Sequence, residues 1–98
     1  MNVRFNPEAV SELNAAVDYY EENEAGLGIE FVMEIQKGIE MILKYPDSWQ
    51  QISFSSRRYL VKRFPFGIIY LCYDGTLYIV AIMNLNREPN YWKKRKTV

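Results

Sequence analysis

The apolar positions of this chain change period twice. Val3 and Phe5 alternate with Asn2 and Arg4, the period of a short strand. From residue 7 the spacing lengthens. Val10, Leu13, Val17 and Tyr20 follow at steps of three, four and three, which places them on one face of a helix over about residues 7–22. Asn6-Pro7 reads as its start, because Asn can accept from the first unbonded N–H groups and proline suits the first helical position. Glu8 and Glu12 fall near the positive end of the helix dipole. Gly26-Leu27-Gly28 breaks the pattern. Phe31, Ile35, Ile39 and Ile42 then mark one face of a second helix, which Pro46-Asp47 ends. Gly38 inside it costs about 1 kcal/mol relative to alanine and is expected to let the helix approach the first one closely. The two helices predict an antiparallel hairpin.

Beyond residue 56 the pattern returns to strands. Residues 47–56 hold Ser, Gln and Asp around Trp49 and Phe54 and read as a loop. Three runs follow, Arg57 to Arg63, Phe66 to Tyr73 and Thr76 to Asn84, rich in Tyr, Ile, Val, Leu and Phe. Pro65 marks the first turn, and Asp74-Gly75 is a type I′ hairpin signal because both residues tolerate positive φ. The last two runs are almost wholly apolar, which predicts central strands covered on both sides. The helices are expected to pack on Ile69, Leu71, Ile79 or their neighbours; the pattern leaves open which alternate set faces them. The order β-α-α-β-β-β predicts a single α+β domain over residues 1–98, with a helix hairpin over a small, mainly antiparallel sheet. Arg87 to Val98 is basic and reads as a helical turn or a loose tail.

Composition narrows the function. The chain is 98 residues long, 49% hydrophobic and 24% charged, a globular balance. Net charge is zero, but residues 1–50 set three bases against ten acids, net −7, and residues 51–98 set nine bases against two acids, net +7. Either the halves neutralise each other in the fold, or a basic face meets an acidic partner. There is no histidine, which removes the commonest general base and metal ligand. No clustered metal ligands and no glycine-rich phosphate loop occur, so neither metal nor cofactor is expected. Cys72 lies in an apolar run and is expected to be a buried small hydrophobe. One cysteine allows no internal disulfide, which fits a reducing cytoplasm. The N-terminus has no apolar core, so no signal peptide is expected, and the longest apolar runs fall far short of the roughly 20 residues of a membrane helix.

Cleavage of RNA would need a proton taken from a 2′-hydroxyl, a stabilised phosphorane and a proton given to the leaving oxygen. Without histidine the candidates are Lys62, Arg63, Arg87 and Tyr91; the alternative is that these are solvated strand ends and loop charges. Lys93-Lys94-Arg95-Lys96 could follow a phosphate backbone beside Tyr91 and Trp92. Alternatively Trp92 folds onto the sheet and the lysines meet an acidic protein. Tyr20 continues the apolar stripe and is expected in the core, whereas Tyr19 falls off it.

Three blocks resemble the RelE/ParE toxin superfamily. They are Tyr19-Tyr20-Glu21 with Gly26-Leu27-Gly28 and Phe31; Arg57 through Phe66 running on to Ile69-Tyr70; and Ala81 through Trp92 ending in Arg95. The blocks look more like the ParE and plasmid-stabilisation branch. The resemblance implies a prokaryotic toxin encoded beside a cognate antitoxin. RelE-like members cut mRNA on the ribosome, and ParE-like members poison DNA gyrase. It also implies Arg57, Arg58, Arg87, Trp92, Lys93 and Arg95 as residues that would bind the target or nucleic acid. Two departures weigh against the nuclease branch. Many relatives carry histidine at Asn84 and arginine at Asn86. The nucleases carry an arginine at the position matching Gly67 and a base at the position matching Leu85. A degenerate relative that only binds an antitoxin is the remaining alternative.

Overall fold

The computed structural model describes residues 1–95. Strand β1 (Asn2–Phe5) leads into helix α1 (Pro7–Asn23). The Asn6 side chain accepts from the Glu8 amide at 2.8 Å, and Pro7 occupies the first turn, as the sequence implies. Helix α2 (Leu27–Lys44) begins without a side-chain cap of its own. Glu21 supplies one from α1: its carboxylate accepts from the amides of Gly26 and Gly28 at 3.0–3.1 Å. Gly28, not Gly38, is the point of close helix approach, since a Cβ there would lie 2.9 Å from the Val17 carbonyl. Gly38 instead lets α2 settle on the sheet. A Cβ there would lie 2.8 Å from both Ile68 and Tyr59, so the expected contact with α1 is corrected to one with the strands.

Four strands complete the fold: β2 (Gln50–Gln51), β3 (Arg57–Leu60), β4 (Phe66–Tyr73) and β5 (Thr76–Asn84). They form one five-stranded sheet in the order β1-β5-β4-β3-β2. β1 runs parallel to β5, pairing Asn2 with Thr76 and Phe5 with Ile79; the remaining neighbours are antiparallel. β2 lies within the segment expected as a loop. Two glutamines carry no hydrophobic period, and only their backbone pairing with Arg57 and Arg58 defines the strand. β3 stops at Leu60 rather than Arg63, because the chain turns with Arg63 at φ 71°. The β4–β5 hairpin turns on Asp74 and Gly75, both at positive φ, as their identities require.

One extra residue decides which side chains meet the helices. Ile69 pairs with Ala81 while Tyr70 pairs with Ile79, so Val80 is a bulge in β5. Leu77, Ile79 and Ile82 therefore face the helices, whereas Val80 and Ala81 both join the cluster on the opposite face. From β4, Phe66, Ile68 and Tyr70 face the helices, and Ile69 packs on the other side with Leu71 against it. Of the three expected partners only Ile79 faces the helices; for β4 the neighbours do. Tyr20, Phe31, Phe64 and Phe66 form the centre of the helix-side core, with ring centroids 4.8–6.2 Å apart. Cys72 is exposed, contrary to expectation, because the end of β4 extends past the core. Among the described residues no helix is long and apolar enough to cross a membrane.

Candidate functional site at the open edge of the last strand

β1 is four residues long and covers the outer edge of β5 only from Thr76 to Ile79. From Val80 onward that edge has no neighbouring strand among the described residues, and unpaired ladder groups need other partners. Side chains supply them. Glu12 of α1 accepts from the Ile82 amide at 3.1 Å, and Arg95 donates to the Val80 carbonyl at 3.0 Å. The bulge thus leaves a carbonyl that a distant arginine satisfies.

Glu12 and Arg95 also hold each other. Arg95 Nη1 and Nη2 meet the two Glu12 oxygens at 2.8 and 2.9 Å, a bidentate pair. The Tyr91 hydroxyl donates to Glu12 Oε2, and Arg87 Nη1 lies 3.3 Å from the same atom. Arg95 Nε adds Glu8 at 3.4 Å. The guanidinium carbons of Arg87 and Arg95 lie 3.6 and 5.0 Å from the Tyr91 ring centroid. One carboxylate therefore gathers two arginines, a tyrosine and a strand amide. Burial, and then the bond to Glu12, push the Tyr91 hydroxyl well above its ordinary value. The bond to Glu12 raises the Arg95 guanidinium further against the opposing effect of burial. Tyr91 keeps its proton at any physiological pH, so it can donate but is a poor base.

The chain reaches this cluster through Asn84, whose Oδ1 accepts from the Asn86 amide at 2.9 Å while its carbonyl accepts from Arg87. Successive turns then bring Trp92 back against Ile69, Val80, Ala81 and Met83, with its indole N–H on the Pro89 carbonyl at 2.9 Å. Beside the cluster, α1 and the starting end of β4 leave a groove of about 400 Å³, lined among others by Ala15, Tyr19, Phe66, Ile82, Asn84 and Arg87.

Of the candidates, the structure brings Arg87, Tyr91, Trp92 and Arg95 together. Trp92 is buried and the Arg95 side chain is only 8% exposed, so both face inward rather than presenting an open surface. Arg63 turns to α2, 2.8 Å from Glu30 and 3.7 Å from Glu34. Lys62 is exposed and has no ion pair among the described residues. Arg57 and Arg58 bond to the Trp49 carbonyl and the Gln50 side chain, which ties β2 to β3. The Arg58 stem also lies over Gly67, where a Cβ would approach it to 3.1 Å. Lys93 is exposed, and Lys96 lies outside the described residues. Glu12 was not among the candidates; its sequence signal was the acid excess of the first half, read only as helix-dipole charge.

Residues 3–89 match the family described as ParE toxin of type II toxin-antitoxin system, parDE, so the chain belongs to that family. Among solved structures it is similar to a chain of the chromosomal ParDE TA system from P. aeruginosa, with a TM-score of 0.73 and 16% identity over 88% of this chain and 97% of that one. At that identity the likeness is one of fold. No curated relative matches the chain by sequence.

Proposed function

We propose that this ParE-type toxin acts in the cytoplasm by binding DNA gyrase rather than by cutting mRNA, and that a cognate antitoxin neutralises it. Family membership supports the gyrase branch. The observation that carries the choice is the Glu12 cluster. A nuclease needs positive groups held ready for the charge that grows on the phosphate. Here Glu12 already occupies Arg95, Tyr91 and one side of Arg87. Arg63 is tied to the other helix, and Gly67 and Leu85 offer no charge. Loss of one such group typically costs about 10²–10³ in rate, and this chain lacks several. Lys93 and the open side of Arg87 remain available for contact with a target, and Arg57 and Arg58 could join them only by giving up their bonds to Trp49 and Gln50.

The test has two arms. Purified toxin added to gyrase and relaxed plasmid is expected to block supercoiling or trap cleaved DNA, and prior addition of the antitoxin is expected to relieve it. Toxin added to programmed ribosomes is expected to leave the mRNA intact. Codon-phased cleavage that disappears in Arg87→Ala, with gyrase unaffected, would overturn the reading in favour of the nuclease.

A further inference from the structure

The C-terminal segment leaves a second groove, on the sheet face that the helices do not cover. Its volume is about 350 Å³ and its floor is apolar, made by Leu71 and Val80. One wall is the turn from Ser53 to Ser56 between β2 and β3, and the other is Trp92, Lys93 and Arg95. The groove lies at the far end of β4 from Gly67, four residues or about 13 Å along the strand. Phe54 stands at its rim, 99% exposed, with serines on both sides in the chain.

The turn presents hydrogen-bond donors. Gln51 Nε2 donates to the carbonyls of Ser53 and Phe54 at 3.1 and 3.2 Å. A trans peptide sets its N–H opposite its carbonyl, so the amides of Phe54 and Ser55 point away from Gln51. Neither amide has a partner among the described residues. The Ser53 hydroxyl accepts from the Ser56 amide at 3.1 Å, which leaves its own proton to give. Across the groove Arg95 is already held by Glu12 and Glu8, whereas Lys93 is exposed and has no ion pair among the described residues. Lys94, also exposed, follows it, and no acid lines the groove.

We propose that this groove binds single-stranded DNA, with a phosphate between the turn amides and Lys93 and a base stacked on the Phe54 ring. The inference deepens the gyrase reading and rests on it for the choice of DNA over RNA. Free amides and an ammonium group suit an anionic oxygen. The ring decides what carries the anion. A protein partner anchors on an aromatic set among other contacts that shut out water, and Phe54 at this exposure has no such surround. A base needs only one open face of a ring beside a cation. The sequence put Tyr91 and Trp92 in that role beside the lysines; Tyr91 is bound to Glu12 and Trp92 is buried, so Phe54 is the ring left open. A base inside a duplex is already paired and stacked, which makes the strand a single one.

Fluorescence anisotropy with a short labelled oligo(dT), in the absence of gyrase, is expected to show binding in the roughly micromolar to 0.1 millimolar range. Phe54→Ala is expected to weaken it about five- to a hundredfold. Lys93→Gln is expected to lower the slope of log affinity against log salt by about 0.7. Both side chains are exposed, so the thermal midpoint by circular dichroism is expected to stay at the wild-type value in each variant, which separates a lost contact from a lost fold. Absence of binding, or binding indifferent to Phe54→Ala, would overturn the proposal. So would tighter binding of oligo(U), which would bring an RNA strand to the groove, and equal binding of oligoglutamate, which would assign it to an acidic protein. Oligo(dT) binding by a toxin that leaves supercoiling untouched would uphold the groove and sink the gyrase reading. Blocked supercoiling without oligo(dT) binding would do the reverse.

Discussion

The two faces of the sheet are covered by different means. On the helix side, rings and branched chains from α1, α2, β4 and β5 exclude water over a broad front, and many residues share the contact. On the opposite side Trp92 and a few neighbours cover Ile69, Val80, Ala81 and Met83, while Leu60 and Leu85 remain 52% and 37% exposed. That thin cover is tied down by polar bonds converging on Glu12. The first face spreads its stabilisation over many non-directional contacts. The second depends on one carboxylate in one geometry, where a single change leaves several groups unsatisfied together.

Three substitutions test the contrast. Phe31→Ala removes a fully buried ring from the aromatic centre and is expected to cost about 3–5 kcal/mol. That is a large share of the roughly 5–15 kcal/mol typical of native proteins. Thermal unfolding followed by circular dichroism should show a large drop in midpoint across the whole molecule. Glu12→Ala is expected to cost about 2–3 kcal/mol, less than a fully buried pair would because both side chains keep some water contact. It leaves Arg95 inward-facing and unpaired, and the Ile82 amide without its acceptor. Hydrogen exchange should quicken at Ile82 and across residues 88–95 while the helix-side core stays protected. Uniform loss of protection would mean that the two faces are not separable. Arg63→Ala is the smallest. The Arg63 side chain is 52% open to water, although its partner Glu34 is buried, and the urea midpoint is expected to fall less than for Glu12→Ala. Equal effects from Glu12→Ala and Arg63→Ala would erase the distinction between the closed cluster and an ordinary surface pair.

Periodicity and turn residues made most of the fold legible. Asp74-Gly75 and two long apolar runs fix β4 and β5 at the bounds observed, and Asn6-Pro7 fixes the start of α1. What escaped has a common cause in long-range contact. β2 is two glutamines held by backbone pairing and by the Arg58 side chain on Gln50, with no hydrophobic period of its own. The partner of Gly38 depends on how α2 lies over the sheet. Alternation assumes an unbroken period of two, and the Val80 bulge resets it, so face assignment could not be read along β5. The charge asymmetry was legible; its use was not. Among the described residues, three of the nine bases of the second half, Arg63, Arg87 and Arg95, meet the acidic half through Glu8, Glu12, Glu30 and Glu34. The partners of Glu12 lie 70 to 83 residues away, and no local pattern links them. Trp92 folds onto the sheet, one of the two readings its sequence allowed, but Arg95 looks like a surface residue in a basic tail until the open edge of β5 is known.

The parallel pairing of β1 with β5 has a consequence for synthesis. The first strand to leave the ribosome finds its partner in the last, and Glu12 waits still longer for Tyr91 and Arg95. The helix hairpin can form early, because its contacts are local, but the sheet cannot close until β5 has emerged. A nascent chain therefore lacks this edge of its surface until the segment carrying Tyr91 and Arg95 has emerged.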